Sequence, residues 1–277
     1  MSGRVGKKGD EDAESFLTAA GITDNIEYWA VIKLTRDLKS NNLWSKMKAI
    51  YPFVGGTAST HKWNLKDPRD VDAAFRLSFQ GGWTHSITGA DPNGTNAYAN
   101  TFFTPNGQLA LFDGHLSYYA RENITVTGST QSVIGVGSNS GGWNGREAWF
   151  IEFASNNANY SHHSTNATTD RGYVTPTISM QGYSIGTRRT SDPTTLKFFK
   201  NNILISSAST SVAGQALNIY PVYIASFRNQ TTSSPFASNY TSNECAFATI
   251  GNGLTDSEVS SLHTIVQKYQ TTLGRQV

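Results

Sequence analysis

Hydrophobic positions in the first fifty residues recur at the spacing of a helix. One apolar stripe in the segment ITDNIEYWAVIKLTRDLKSNNLW comprises Ile26, Trp29, Ala30, Val31, Leu34 and Leu38. The main positions are four residues apart, so they share one side of an amphipathic helix. Acidic residues open the preceding segment DEDAESFLTAAG and Gly21 follows it, as helix termini favour. We therefore expect two helices within residues 11–50, with a capping box of Asp24 and Glu27 opening the second, and a short further turn in LWSKMKAIY.

From about residue 52 the pattern changes to short alternating runs separated by turns rich in Gly, Asn, Ser and Pro. The predicted strands lie in DAAFRLSFQ, HLSYYAREN, EAWFIEFAS, GYSIGTRRT, TLKFF, ILISS and PVYIASF. The polar break Lys200-Asn201-Asn202 joins two of these runs, which predicts an antiparallel hairpin. The final segment becomes helical again, and Thr255 with Glu258 forms a capping box at its start. This order of elements favours an antiparallel jelly-roll β-sandwich with helices at both ends.

The amino-acid composition limits the classes of protein to which the chain can belong. Charged residues make up only 15% of the 277 residues, while aromatic residues reach 12%. The net charge of +2 gives no reason to expect nucleic-acid binding, and no apolar run approaches the length of a membrane span. The single cysteine, Cys245, excludes an intrachain disulfide, and we expect it to be a small buried residue. The start of the chain lacks the apolar centre of a signal peptide, which is consistent with assembly in a host cytoplasm.

The C-terminal third resembles the end of a concanavalin A-like, laminin-G-type jelly roll. The resemblance covers residues 195–273 and rests on the hairpin, the strand YIASFRN and the run CAFATIGNGLTDSEVSSL that opens the last helix. Members of that family turn the hairpin at Asn-Gly, where this chain has Asn201-Asn202. Asn tolerates the left-handed backbone conformation, so the same turn is expected here. The resemblance implies two stacked antiparallel sheets.

A second resemblance links the chain to bacteriophage structural proteins of the fibre, tail or head-appendage type. It rests on IYPFVGGTASTHKWNLKDPRDVDAAFRLSF, together with LTAAGITD near the start and VQKYQTTLGR near the end. It implies a virion protein with a lectin-like domain. We accordingly divide the chain into a helical attachment segment, residues 1–50, and a sandwich with its C-terminal helix, residues 51–277.

The sandwich family also contains glucanases, which resemble one another in carrying two glutamates at even spacing on one strand. Even spacing directs both carboxylates into the same cleft, because alternate residues of a strand share a face. The nearest equivalent here is REAWFIEF, where Glu147 and Glu152 are at odd spacing. On a regular strand these two side chains face opposite sides. The sequence therefore predicts no catalytic residues, although hydrolysis of glycans stays open as an alternative.

Metal sites and cofactors are not expected either. Asp67, Asp70 and Asp72 could offer oxygen ligands to calcium, but they read as solvated acids of a turn. His162 and His163 are adjacent, so on a strand they would diverge, and the surrounding segment looks like a polar loop. No phosphate-binding loop, nucleophile elbow or paired CxxC motif occurs.

Two tryptophans in predicted glycine-rich loops are the candidates for glycan binding. GGWTH contains Trp83 and His85, and GGWNGR contains Trp143 and Arg146. An aromatic ring can stack on the apolar face of a sugar with polar groups beside it, but a large aromatic residue can equally plug the edge of a sandwich. Both interpretations stay open at this point.

The sequence as a whole favours a non-enzymatic phage virion component that serves assembly or adhesion to the host surface. Its expected partners are other virion proteins, copies of itself, with a trimer favoured, and a cell-surface glycan. Ile26, Trp29, Ala30 and Leu34 are the candidate assembly contact, or else they pack under the sandwich. The alternatives are a stand-alone carbohydrate-binding module or a glycan hydrolase.

Overall fold

The computed structural model describes residues 9–124, 126, 130–138, 144–166, 171–210, 216–230 and 235–277, without the side chains of residues 138, 144–147, 159, 161–166, 230 and 235. The chain begins with α1 (Glu11–Ala20) and α2 (Asn25–Ser40), a 3-10 turn (Trp44–Lys46), β1 (Met47–Tyr51), the short helix α3 (Ala58–His61) and a 3-10 turn (Asp72–Ala74). The strands that follow are β2 (Ser78–Gln80), β3 (Trp83–Ser86), β4 (Gly89–Pro92), β5 (Tyr98–Asn100), β6 (Gly114–Ala120), β7 (Gln131–Ser138), β8 (Asn144–Phe153) and β9 (Ala158–Asn166). The chain ends with β10 (Gly172–Val174), β11 (Gly182–Arg189), β12 (Asp192–Lys200), β13 (Ile203–Ser209), β14 (Tyr223–Ile224), β15 (Phe227–Gln230), β16 (Pro235–Ser238), β17 (Cys245–Gly251) and α4 (Asp256–Thr272).

The strands form two stacked sheets, which confirms the predicted mainly-β sandwich with terminal helices. The back sheet has the order β13-β12-β11-β6-β17-β4-β3, with β1 beside β17. The front sheet has the order β10-β9-β8-β7-β14-β5-β2, with β15 and β16 attached to it at β7. All these pairs are antiparallel except β15 with β7. One core lies between the sheets.

A second core lies on the outer face of the back sheet, where α1, α2 and α4 pack. Adjacent residues of β6 show the division, because Tyr118 belongs to the core between the sheets and Tyr119 to the core under the helices. Phe247 and Ala248 of β17 divide in the same way. Both faces of these central strands are buried, as the 7-residue runs of β6 and β17 show. The helices thus cover the back sheet.

The hairpin predicted from its polar break is present between β12 and β13. Lys200 pairs with Ile203, and the intervening Asn201 and Asn202 have φ values of 48° and 65°. Two successive left-handed residues make the tight turn whose twist suits a hairpin, and Asn adopts that conformation at low cost. The side-chain oxygen of Asn201 also accepts a hydrogen bond from the backbone of Tyr183 at 2.8 Å. This contact ties the turn to the neighbouring β11.

Two local predictions in the first eighty residues were wrong. The turn predicted in LWSKMKAIY is confined to Trp44–Lys46, and residues 47–51 are strand β1. The predicted division of the chain after residue 50 stays a prediction. Residues 47–51 lack clear alternation because Ala49 faces one core and Ile50 the other. The strand predicted around Phe75 is reduced to Ser78–Gln80. A 3-10 turn precedes it, and Phe75 itself has a left-handed φ of 59°.

The helix termini follow the predicted chemistry with one exception. Thr255 and Glu258 form a reciprocal capping box at the start of α4, and Gly21 ends α1 in the left-handed conformation. Asp24 caps α2 by accepting hydrogen bonds from the backbone of Ile26 and Glu27. The side chain of Glu27, however, accepts a hydrogen bond from Gly55 at 3.0 Å instead of completing the box. It thereby links α2 to the segment that follows β1.

The C-terminal end of the chain is anchored by a buried arginine. Arg275 is 1% exposed, and its guanidinium donates to the carbonyls of Pro52, Phe53 and Ala246 at 2.7–3.0 Å. It also donates to the Ile87 carbonyl and to the side chain of Gln270. Every N–H group of the side chain therefore has an acceptor, which is what a buried guanidinium requires.

We predict that Arg275→Met destabilises the protein by about 2–4 kcal/mol, because several buried carbonyls lose their donor. Chemical denaturation followed by far-UV circular dichroism measures the change. Gln276→Met, at the exposed neighbouring position, is the matched control and should unfold like the wild type. A loss of less than about 1 kcal/mol for Arg275→Met would show that the anchor is dispensable.

A buried lysine makes stability depend on pH. The Lys200 ammonium donates to the Met180 carbonyl at 2.6 Å and to the Ser184 hydroxyl at 3.2 Å, and burial lowers its pKa to about 7. The unfolded chain keeps the ordinary pKa of about 10.4 and binds this proton more tightly. Stability should therefore rise as pH increases from about 7 to 10.

We predict that Lys200→Met removes about 3 kcal/mol of that rise between pH 7 and 10. Urea denaturation at a series of pH values gives the comparison. Lys33→Met, which changes an exposed lysine of α2, should retain the pH dependence of the wild type. Identical pH profiles for Lys200→Met and the wild type would contradict the assignment.

Candidate functional site

Trp83 and His85 lie on β3, the edge strand of the back sheet, rather than in the predicted loop, and both are half-buried. The Trp83 ring packs edge-on against Phe79 at 5.2 Å and stacks on His85 at 6.1 Å. Its indole N–H donates to the carbonyl of Gln80 at 2.9 Å and approaches that of Tyr98 at 3.4 Å. Trp83 therefore helps to close the sandwich edge while part of its ring reaches the surface. Whether it contacts a sugar stays a prediction.

His85 continues inward to a second histidine. Its Nδ1 lies 2.9 Å from the Nδ1 of His61, so one ring donates and the other accepts. Burial is the main cause that lowers the pKa of His61 to about 3, and the neighbouring His85 and Arg275 lower it further. Burial also lowers the pKa of His85. Both rings are thus neutral near pH 7, and His85 acts as a support for Trp83.

A cluster of tyrosines lies on the front sheet, near the edge where Trp83 of the back sheet is located. We call Tyr98, Tyr220, Tyr223, Tyr240 and Arg228 the tyrosine platform. The rings of Tyr98 on β5 and Tyr223 on β14 stack at 4.6 Å with an interplanar angle of 21°. The guanidinium of Arg228 on β15 lies 4.2 Å from the ring centre of Tyr220 and 5.8 Å from that of Tyr223. Tyr98, Tyr220 and Tyr240 are half-buried, so part of each reaches the surface.

The platform's charge state suits hydrogen bonding. Burial and the neighbouring tyrosines Tyr223 and Tyr240 raise the pKa of Tyr98, and burial and Tyr223 raise that of Tyr240. Both hydroxyls are therefore protonated at neutral pH and can donate as well as accept. Burial lowers the pKa of Arg228, but a guanidinium keeps its charge in a protein. The platform thus combines aromatic faces, neutral hydroxyl donors and one cation.

Sequence reasoning missed the platform because its members are scattered along the chain. Its residues come from three separate segments, around residue 98, residues 220–228 and residue 240. The fold unites them because β14 lies between β5 and β7 in the front sheet. The only local signal was the pair of tyrosines three residues apart in YPVYIASF.

The other predicted glycan residues cannot be placed in the same way. Trp143 lies outside the described residues. Arg146 belongs to β8 by its backbone, but its side chain lies outside the described part of the chain. The same holds for Glu147 on β8 and for His162 and His163, whose predicted polar loop is strand β9.

The predicted assembly stripe on α2 is divided between core and surface. Ala30 and Leu34 are buried in the core under the helices, which is the second of the two roles predicted for them. Ile26 and Trp29 are 60% and 47% exposed. Ile26 also lines a cleft of about 460 Å³ that Glu27, Ile87 and others border. No contact in the structure tests the predicted interface.

Acidic residues were tested for catalytic geometry. Glu152 is buried and accepts a hydrogen bond from Asn239 at 3.1 Å. The three aspartates of the turn face basic side chains, with Asp67 next to Arg69 and Asp72 next to Arg76. Asp70 lies next to Lys62. Within the described ranges, no group of three or more His, Cys, Asp or Glu residues is arranged to hold a metal.

One further acidic group is the strongest structural argument for an enzyme. Burial, followed by the carboxylates of Glu122 and Glu244, raises the pKa of Asp91. A carboxyl with a raised pKa can act as a general acid. Glu244, however, accepts a hydrogen bond from Thr88 and faces Arg121 at 3.7 Å. The Glu244 carboxylate therefore has a structural role. Asp91 and Glu244 thus differ from a cooperating catalytic pair.

The helices of the described part of the chain include none that is both long and apolar enough to cross a membrane. No family model matches the chain, and no curated protein matches it. Solved structures do match its fold. A receptor binding domain aligns at a TM-score of 0.53 with 12% identity, over 83% of this chain and 53% of that one.

The binding domain of botulinum neurotoxin serotype D/C VPI 5993 aligns at a TM-score of 0.50 with 13% identity, over 82% of this chain and 53% of that one. The chain spans about half the length of these structures. A mutant of Trypanosoma rangeli sialidase displaying trans-sialidase activity aligns at 0.47 with 9% identity, over 87% of this chain and 39% of that one, and this weaker likeness supports no conclusion. At such identities the matches show a shared β-sandwich fold and nothing about ligands.

Proposed function

We propose that this chain is a non-enzymatic carbohydrate-binding domain and that the tyrosine platform, with Trp83 beside it, forms its glycan site. The observation that carries the proposal is the stacking of the half-buried Tyr98 on the buried Tyr223 of the front sheet. The indole N–H of Trp83 approaches the backbone carbonyl of Tyr98, which places Trp83 beside the strand that carries this platform tyrosine.

Sugars fit this surface for physical reasons. The C–H face of a pyranose ring packs on an aromatic ring, and its hydroxyls need donors and acceptors at the rim. Tyr98 and Tyr240 supply protonated hydroxyls, and Arg228 adds a positive charge that attracts oxygen acceptors. The back sheet offers no comparable face, since α1, α2 and α4 pack on it. The receptor binding domain and the neurotoxin binding domain described above share this fold, which is consistent with a binding role for the chain.

We further propose that the domain is a component of a phage virion, in a fibre, decoration or tail appendage, and that it assembles there as a symmetric oligomer. The support is the resemblance of residues 50–79 and of both chain ends to phage structural proteins. Ile26 and Trp29 offer an exposed apolar contact for other virion proteins. Particles would form in the bacterial host cytoplasm.

The glycan site predicts a clear mutational pattern. Wild-type protein should bind a subset of a glycan array that includes bacterial surface oligosaccharides. Tyr98→Ala and Trp83→Ala should each weaken that binding about tenfold or more, because a stacked ring is worth about 1–2 kcal/mol. Tyr173→Ala is the matched control, since Tyr173 is an exposed tyrosine on β10 at the far edge of the same sheet.

Three results would contradict the proposal. One is the absence of binding to every glycan tested, and another is an equal loss for Tyr98→Ala and the Tyr173→Ala control. The third is release of reducing sugar that disappears in Asp91→Asn or Glu152→Gln, which would establish a hydrolase. Thermal melts of each variant separate lost binding from lost folding.

The virion assignment has its own test. Mass spectrometry of purified particles from a phage that encodes this chain should detect it at a fixed ratio to the major capsid protein. Absence of the chain from every particle fraction would contradict the virion role without affecting the glycan site.

A further inference from the structure

The back sheet ends in a strand that lacks the usual protection of a sheet edge. β13 runs over 7 residues, Ile203–Ser209, and in the described part of the chain its one strand neighbour is β12. The opposite edge strand β3 has 4 residues, and the front-sheet edges β10 and β2 have 3 each. Proteins blunt sheet edges with short strands, charged side chains or proline. The sequence of β13, ILISSAS, contains neither charge nor proline.

The side chains at the start of β13 add apolar surface to this open edge. Ile203 and Leu204 are 66% and 44% exposed. The register between β12 and β13 shifts between Phe198 and Phe199. Residues Ser206–Ser209 pair regularly with Thr195–Phe198, whereas Ile203 and Leu204 lie beyond the shift. The side of β13 away from β12, which has no strand neighbour in the described part of the chain, therefore continues past the apolar pair along a stretch of small residues.

We propose that β13 pairs with β13 of a second copy of this chain, antiparallel across a two-fold axis near Ser206. Edge N–H and C=O groups are satisfied by another extended strand, and a strand of small uncharged residues is compatible with itself. With the axis at Ser206, Leu204 of one copy faces Ala208 of the other, and Ile203 faces Ser209. Two back sheets would then continue into each other.

The charges near β13 also favour a second copy of this chain as the partner of the strand. Lys197, the partner of Ser207 in the ladder, is neutralised by Asp256 at 2.7 Å. Asn202 at the turn donates to Ser260 of α4 at 3.1 Å, so the hairpin is held against that helix. The neighbourhood thus brings no like charges together when two identical edges meet. A two-fold contact of this kind is isologous and closes as a dimer.

Sedimentation velocity over a dilution series tests the pairing. The wild type should sediment as a dimer that dissociates to a monomer on dilution. Ile203→Lys combined with Ser209→Lys should be monomeric throughout, because the two positions face each other across the axis and place a pair of ammonium groups opposite each other at each end of the paired strands. Ile219→Lys is the control, since Ile219 is a similarly exposed isoleucine away from this edge, and it should leave the dimer intact.

Site-directed cross-linking supplies a readout that does not depend on how well the lysine variant folds. Residues facing each other at the axis have Cα atoms about 4.5–5.5 Å apart, within the range of a disulfide. Ser206→Cys should form a covalent dimer under mild oxidation, and Ser257→Cys, at an exposed position of α4, should not. Cys245 is buried and does not compete.

Several outcomes would overturn the pairing. A wild type that is monomeric at every concentration would do so, as would equal cross-linking of the two cysteine variants. A trimer that persists in the double lysine variant and is lost in Trp29→Lys would assign assembly to α2 instead. None of these readouts involves glycan, so failure here leaves the proposed glycan site untouched.

Discussion

The buried guanidinium of Arg275 is the contact on which the docking of the C-terminal segment against the back sheet depends. It binds carbonyls that follow β1, a carbonyl that follows β3 and one within β17, and so joins three segments that are distant in the sequence. Burying a cation without full hydrogen bonding costs several kcal/mol, so each of these carbonyls must be in place before the C-terminal segment can dock. The same contact holds α4 on the back sheet and fixes the strand that carries Trp83.

Coverage of the back sheet by helices determines where binding can occur. Three helices bury the outer side of that sheet, so its central strands are apolar on both faces. The surface that stays accessible to a ligand is therefore on the front sheet. There the tyrosine platform lies next to the edge closed by Trp83. The edge at β13 lies at the other end of the back sheet, which allows a dimer to present two platforms at once.

The sequence predicted the elements whose signals are local. The cap at Thr255 follows from the preferences of a few neighbouring residues. The same is true of the left-handed pair Asn201-Asn202 and the hairpin that it forms. Strand β1 was missed because burial on both faces removes the alternation that identifies a strand. Trp83 and His85 were singled out from the motif GGWTH, whereas the platform arises from strand order, which one-dimensional patterns do not contain.

The central claim is that glycan binds where Trp83 meets the tyrosine platform. The six tryptophans of the chain each give an indole N–H signal in a proton–nitrogen correlation spectrum, so titration with the best-binding oligosaccharide from an array reports the location directly. We expect the Trp83 signal to shift in proportion to occupancy while the signal of Trp29 on α2 stays in place. A shift confined to Trp29, or saturable binding that leaves Trp83 unchanged, would contradict the account.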